Sequence, residues 1–377
     1  MKKLLLPFCC LVLLLTACVE KKYIERLGII TVVGYDLMEN GWVEGTHVLF
    51  QFDPNATNIS QIITSQAKTA KGLMHDASLK TSKELVSGQL RLIMYGSDMA
   101  EKGMIRLMDT MDRDADIADM LYIAISETTA NEVLTANNFE DAPNIGTYLH
   151  QLLEKNIKDE KIPDTTLHEF LYNYFDHGSD PIIPLINVEN SKATIRNLAI
   201  LQNDKMVGKI SAKEGFYIKL INSKYKSGHL ELVIPKSPFL KVKSETEEFE
   251  ELKGIYLDMD QIRSKANIEM KDPKALEFDV NIELQARLLE ISEDLKLDDK
   301  NTVKELEKAI ETNITLQLEQ LLGKLIEMKS DPIGFGLEYQ KYAGVDALEG
   351  DKWREIYPDI KVNFNINTKL LRTGIVN

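Results

Sequence analysis

Between residues 277 and 288 the chain alternates strictly. Phe278, Val280, Ile282, Leu284, Ala286 and Leu288 are apolar, while Glu277, Asp279, Asn281, Glu283, Gln285 and Arg287 are polar. A period of two sends successive side chains to opposite faces, so this segment predicts a strand with one buried and one wet face. Ile360, Val362, Phe364 and Ile366 repeat the pattern against Lys361, Asn363, Asn365 and Asn367. Between these strands, Val303, Leu306, Ile310, Ile314, Leu318, Leu321 and Leu325 fall on one stripe. That spacing predicts a helix of about seven turns. Thr302 and Glu305 have the spacing of a capping box at its start. A long helix lying across the two strands is the simplest packing.

The first half of the chain alternates shorter elements. Residues 29–33 read as a buried strand, Asn40-Gly41 as a turn and 46–52 as the return strand of a hairpin. Ile62, Ile63, Ala67, Ala70 and Met74 predict a helix capped by Asn58 or Ser60. Strands follow at 90–95 and 120–125. A helix opened by Ser97 lies between them, carrying Ala100, Met104, Met108 and Met111. Further helices are predicted at 130–137, 144–158 and 164–175. The break at Gly178-Ser179-Asp180-Pro181 leads into strands at 194–201, 205–209 and 228–234. The acidic run 245–251 reads as a solvated linker. These breaks predict a mixed α/β protein of three domains, each with a mixed or antiparallel sheet packed by helices. The divisions fall at 18–185, a small strand-rich 186–250, and 251–377 with the long helix.

Residues 1–17 are of another kind. Lys2 and Lys3 precede an apolar run from Leu4 to Leu15, and Leu15-Thr16-Ala17-Cys18 has the form of a lipobox. This predicts a secretory signal peptide cleaved between Ala17 and Cys18, with diacylglycerol and an acyl chain on the Cys18 thiol. The run is too short for the ~20 residues of a membrane span. Cys9 and Cys10 leave with the leader, so the mature chain keeps one cysteine and forms no internal disulfide. Two or more acyl chains suffice for stable attachment. Cys18 to Ile29 is eleven residues, at most about 40 Å extended, so the first domain sits close to the bilayer.

Charge narrows the partners. The chain carries −14, and losing Lys2 and Lys3 with the leader makes it −16. Such a surface repels phosphate backbones, and no Lys/Arg cluster argues for nucleic acid. Motifs for catalysis or metal binding fail on inspection. His168-Glu169 would need a second histidine where Tyr172 stands. A calcium loop from Asp112, with Asp114, Asp116 and Asp119, would need Gly at Ile117 and Glu at Ile123. Gly334-Phe335-Gly336 lacks the third glycine of a nucleotide loop and follows a helix, so it reads as a place of tight backbone packing. Trp42 and Trp353 read as packing residues. The expectation is a non-enzymatic protein without cofactor or metal beyond the lipid on Cys18.

The order of motifs behind the lipobox resembles the Ger(x)C family, the lipoprotein C subunits of bacterial spore germinant receptors. The matching residues are Cys18, Leu27-Gly28, Val33-Gly34-Tyr35-Asp36, Ser82-Lys83 and Arg113-Asp114. To these add Met206-Val207-Gly208-Lys209-Ile210 followed by Glu214, then Asp331-Pro332-Ile333-Gly334-Phe335-Gly336, Trp353 and the strand closing on Gly374. The chain departs from the family pattern at Val19-Glu20, where Trp-Asp is common, and at Gln89, where histidine is usual. The resemblance implies a receptor subunit on the outer face of the spore inner membrane, with two integral-membrane partners, A and B. It also implies three α/β domains. A solute-binding lipoprotein of a transporter shares the anchor, size and α/β content, but needs two similar lobes and usually a flexible tether.

Overall fold

The structure, a computed structural model, describes residues 23–373 apart from 53–58, 119, 137–143, 191, 223–224, 227, 237–238, 240–253 and 349. Ala17, Cys18 and the acidic run 245–251 lie outside the described residues.

The first sheet is built around β1 (Leu27–Leu37), which returns antiparallel as β2 (Val43–Phe50) through the turn at Gly41. β3 (Ser60–Ala67) follows, pairing antiparallel with β2. The helix expected over these residues is instead this strand, because Ile62-Ile63-Thr64 is β-branched and Ile63 and Ser65 face the core while Ile62, Thr64 and Gln66 face solvent. The helix starts later: Thr69 Oγ1 accepts from Gly72 N and opens α1 (Ala70–Ser78). After β4 (Glu84–Val86) and β5 (Leu92–Tyr95), the single helix expected from Ser97 is two, α2 (Ser97–Lys102) and α3 (Ile105–Asp112). Gly103 separates them with φ 122°, a conformation open to glycine and closed to most residues. β6 (Tyr122–Ser126), α4 (Ala130–Thr135), α5 (Ile145–Lys158) and α6 (Leu167–Phe175) fall where the sequence predicts them.

β7 (Ile182–Glu189), β8 (Lys192–Gln202) and β9 (Lys205–Ser211) complete this sheet, in the order β3-β2-β1-β5-β6-β7-β8-β9 with β4 beside β1. The division expected between 185 and 186 therefore falls inside a strand. Residues 186–211 do not begin a new unit, because β7 pairs parallel with β6 and hands the sheet on to β8. α7 (Ala212–Asn222) then leaves the sheet. Phe216, Tyr217, Ile218, Leu220 and Ile221 are all buried, so both sides of this helix are covered.

The second sheet runs β10 (Gly228–Ile234), β11 (Ile255–Asp272), β12 (Glu277–Ile291) and, last in the chain, β13 (Lys361–Thr373), in that spatial order. β12 and β13 are parallel; the other pairs are antiparallel. Between β12 and β13 come α8 (Lys300–Glu327), α9 (Phe335–Ala343) and α10 (Lys352–Ile356). Asp299 caps α8, in place of the expected capping box, and Thr302 Oγ1 bonds the Asp299 carboxylate. Leu306, Ile310, Ile314, Leu318, Leu321 and Leu325 form its buried stripe, as the periodicity predicts.

The first sheet separates two apolar cores. One face carries α1, α2, α3 and α6. The other carries α4, α5 and α7, and this core continues without a break into the second sheet and α8. The two sheets thus share one hydrophobic interior.

Candidate functional site: a carboxylate junction between the two sheets

The Asp-x-x-Gly-x-Gly segment after α8 is where the halves of the chain meet. Asp331 is buried, and its carboxylate accepts from N–H donors. Gly334 N donates to Oδ1 at 2.8 Å, and Gly336 N and Trp353 Nε1 donate to Oδ2 at 2.9 and 3.0 Å. Trp353 in turn stacks on Tyr339 at 5.4 Å and lies against Tyr357 at 5.7 Å. The aspartate thereby fixes the turn into α9 and the first turn of α10 together. Gly334 adopts φ 85°, and a Cβ on Gly336 would stand 2.7 Å from Gly178 Cα. This explains both glycines: one needs a left-handed backbone, the other direct backbone contact.

Gly178 belongs to the loop between α6 and β7, and so does the second carboxylate, Asp180. Asp331 N donates to Asp180 Oδ2 at 2.9 Å, and Asp180 N donates back to the Asp331 carbonyl at 3.0 Å. Arg354 from α10 makes a bidentate pair with Asp180, Nη1 to Oδ2 at 2.9 Å and Nη2 to Oδ1 at 2.7 Å. Asn203 N, in the β8–β9 turn, donates to Oδ1 at 3.0 Å, and Asn203 Oδ1 accepts from Arg354 Nη2 at 2.7 Å. Ser330 Oγ donates to the Leu201 carbonyl, and Gln202 Nε2 to the Met328 carbonyl. Strand β9 comes so close to the end of α8 that a Cβ on Gly208 would lie 2.4 Å from Met328 Sδ.

Two carboxylates thus meet in a largely dry contact, Asp180 paired with the Arg354 guanidinium and Asp331 held by N–H donors. Burial is the main force that pushes the Asp331 carboxyl up, to about 7, and the charge of Asp180 adds to it; the N–H donors pull the other way. The result is a clamp. It fixes the first sheet, through the loops at Asp180 and Asn203, to the segment that follows α8. A groove of about 670 Å³ opens beside it, edged by Tyr172, Lys219, Asn267 and Lys341.

Other sequence motifs have local explanations. Asp36 accepts from Ala130 N and Asn131 N, at 2.7 and 2.8 Å, and so caps α4 from β1. Burial raises its pKa. A Cβ on Gly34 would meet Leu134 and Ala130 at 2.7 and 2.8 Å, so the glycine lets α4 lie flat on the strand. His168 and Glu169 lie on α6, where both are exposed. Asp114 pairs with Lys71, and Asp119 lies outside the described residues. No group of three or more metal-ligating side chains converges among the described residues. Sequence reasoning found Asp331, both glycines and Trp353 as a motif but missed Asp180 and Arg354. The break at Gly178-Ser179-Asp180-Pro181 marked one of them as a loop; nothing local marked the other.

Two family models match most of the chain in succession. Residues 20–188 match the spore germination protein N-terminal domain, and residues 196–374 the C-terminal domain described as spore germination B3/GerAC like. The chain is 25% identical to the spore germination protein GerQC of Bacillus cereus over 369 residues, 98% of each chain. It is 21% identical to the spore germination protein KC of Bacillus subtilis, over 97% of this chain and 94% of that one. The crystal structure of the GerBC protein superposes with a TM-score of 0.55 at 15% identity, covering 93% of this chain and all of that one. The junction motif falls inside the C-terminal match and its partner Asp180 inside the N-terminal one, and with both domains present in order the chain belongs to the Ger(x)C family of spore germination proteins.

Proposed function

We propose that this protein is the lipid-anchored C subunit of a nutrient germinant receptor. It works with integral-membrane A and B subunits on the outer face of the spore inner membrane, and it binds and positions rather than catalyses. The observation that carries the reading is the full-length match to GerQC through both germination domains, behind the lipobox at Cys18. No helix among the described residues is long and apolar enough to cross a membrane. In this reading attachment comes from the diacylglycerol and palmitoyl chains on Cys18. The junction keeps the two sheets in one orientation, as a scaffold between partners requires. The transporter alternative asks for two similar lobes, whereas among the described residues the sheets have nine and four strands.

Deletion tests the proposal. Spores lacking the protein are expected to lose germination to one class of nutrient, and the A and B subunits to fall in abundance, with vegetative growth unchanged. Impaired growth on one carbon source with normal germination would support the transporter reading instead.

A further inference from the structure

The amino-terminal end of the first sheet carries a cluster of apolar side chains left exposed among the described residues. Tyr23 and Ile24, just before β1, are 57% and 47% exposed; Phe52 and Ile59, just after β2 and before β3, are 45% and 47% exposed. The register brings them to one place. Ile29 pairs with Phe50, so Phe52 continues opposite Leu27, and Gln51 N donates to the Ile59 carbonyl at 3.0 Å. The Phe52 ring packs on Phe50 at 4.8 Å. Isolated surface hydrophobes are ordinary; an aromatic and aliphatic group gathered at one sheet end is a contact surface.

Chain length says what meets it. Tyr23 is five residues from Cys18, at most about 18 Å of extended chain. A cysteine acylated at the boundary of the hydrocarbon layer therefore holds this end of the sheet at the headgroups, where aromatic side chains and apolar faces enter.

We infer that Tyr23, Ile24, Phe52 and Ile59 form a lipid-contacting tip that seats the protein on the bilayer with β1 rising away from it. The tip sets an orientation that the lipid chains alone cannot set. Trp42 marks the opposite end of the β1–β2 hairpin. Counted from Leu27 along the eleven residues of β1, it stands about 33 Å away. This inference rests on the anchor proposed above at Cys18.

The test is photo-crosslinking in the full-length protein in its own membranes. A diazirine-bearing residue replaces Phe52, Ile59 or Trp42 one at a time; all three side chains are exposed, so no core side chain is replaced. Labelled palmitate is followed in the same cells. The expected result is phospholipid adducts at positions 52 and 59, at least tenfold above position 42. Adducts to a polypeptide at 52 and 59, no adducts, or equal lipid adducts at all three positions would overturn the tip. Palmitate incorporation without lipid adducts overturns the tip and leaves the anchor. Lipid adducts without palmitate overturn the anchor and leave the tip.

Discussion

At the scale of residues, the junction concentrates the chain's sensitivity. Asp180 is 5% exposed at its side chain, and Arg354 is its cationic partner. Arg354→Leu leaves that carboxylate buried with backbone donors alone, and breaking a buried pair from one side typically costs ~3–5 kcal/mol. Denaturant unfolding should register the loss. Lys158→Ala, which removes an exposed pair with Glu154, should leave the midpoint unchanged. The second carboxylate gives a pH dependence. The Asp331 carboxyl stands at about 7 in the folded protein, against an ordinary value near 3.8. Between these values the folded state holds a proton that the unfolded state has released. Asp331 therefore favours folding most below about pH 4, and this contribution falls as pH rises through 7. Asp331→Asn removes the titration, so the melting temperature of the wild type relative to this variant should fall from pH 5 to pH 8 and then level off. A constant difference over that range would count against the raised carboxyl.

At the scale of elements, periodicity was readable wherever one face stays wet. β12 and β13 kept their alternation because each has a solvated side, and α8 kept its stripe for the same reason. Leu318 lies in the middle of that stripe. Leu318→Ala should cost ~2–5 kcal/mol, while Gln320→Ala, on the exposed side, should leave the melting temperature unchanged. Lys324, also exposed, pairs with Glu214 of α7. Glu307 and Glu311 of α8 accept from Leu370 N and Thr368 N on the outer edge of β13, and so occupy donors that an edge strand otherwise presents to other chains. The elements that escaped reading did so for physical reasons. β11 changes phase at its register shift between Asp260 and Arg263, where Gln261 takes φ 48°, so no single alternation runs through it. α7 is covered on both sides and has no polar face to reveal a period. Residues 60–74 imitated a helix because a strand and the next helix together supplied apolar positions at helical spacing.

At the scale of the whole molecule, the motif order in the sequence carried the family, and the structure shows what those motifs hold together. Gly34 and Asp36 seat α4 on β1, Gly208 admits Met328, and Asp331, Gly334, Gly336 and Trp353 close the contact on Asp180. What the sequence divided into three, the fold joins into two sheets over a shared core, because β7 to β9 extend the first sheet rather than start another. In the proposed function, such a body, held to a membrane at one end, is suited to hold partners in register. The measurement that tests this most directly is affinity purification of the lipidated protein from spore membranes, with its companions identified by mass spectrometry. The account predicts that the A and B subunits of one germinant receptor are recovered with it. Recovery of a transporter permease in their place, or of the protein alone, would contradict it.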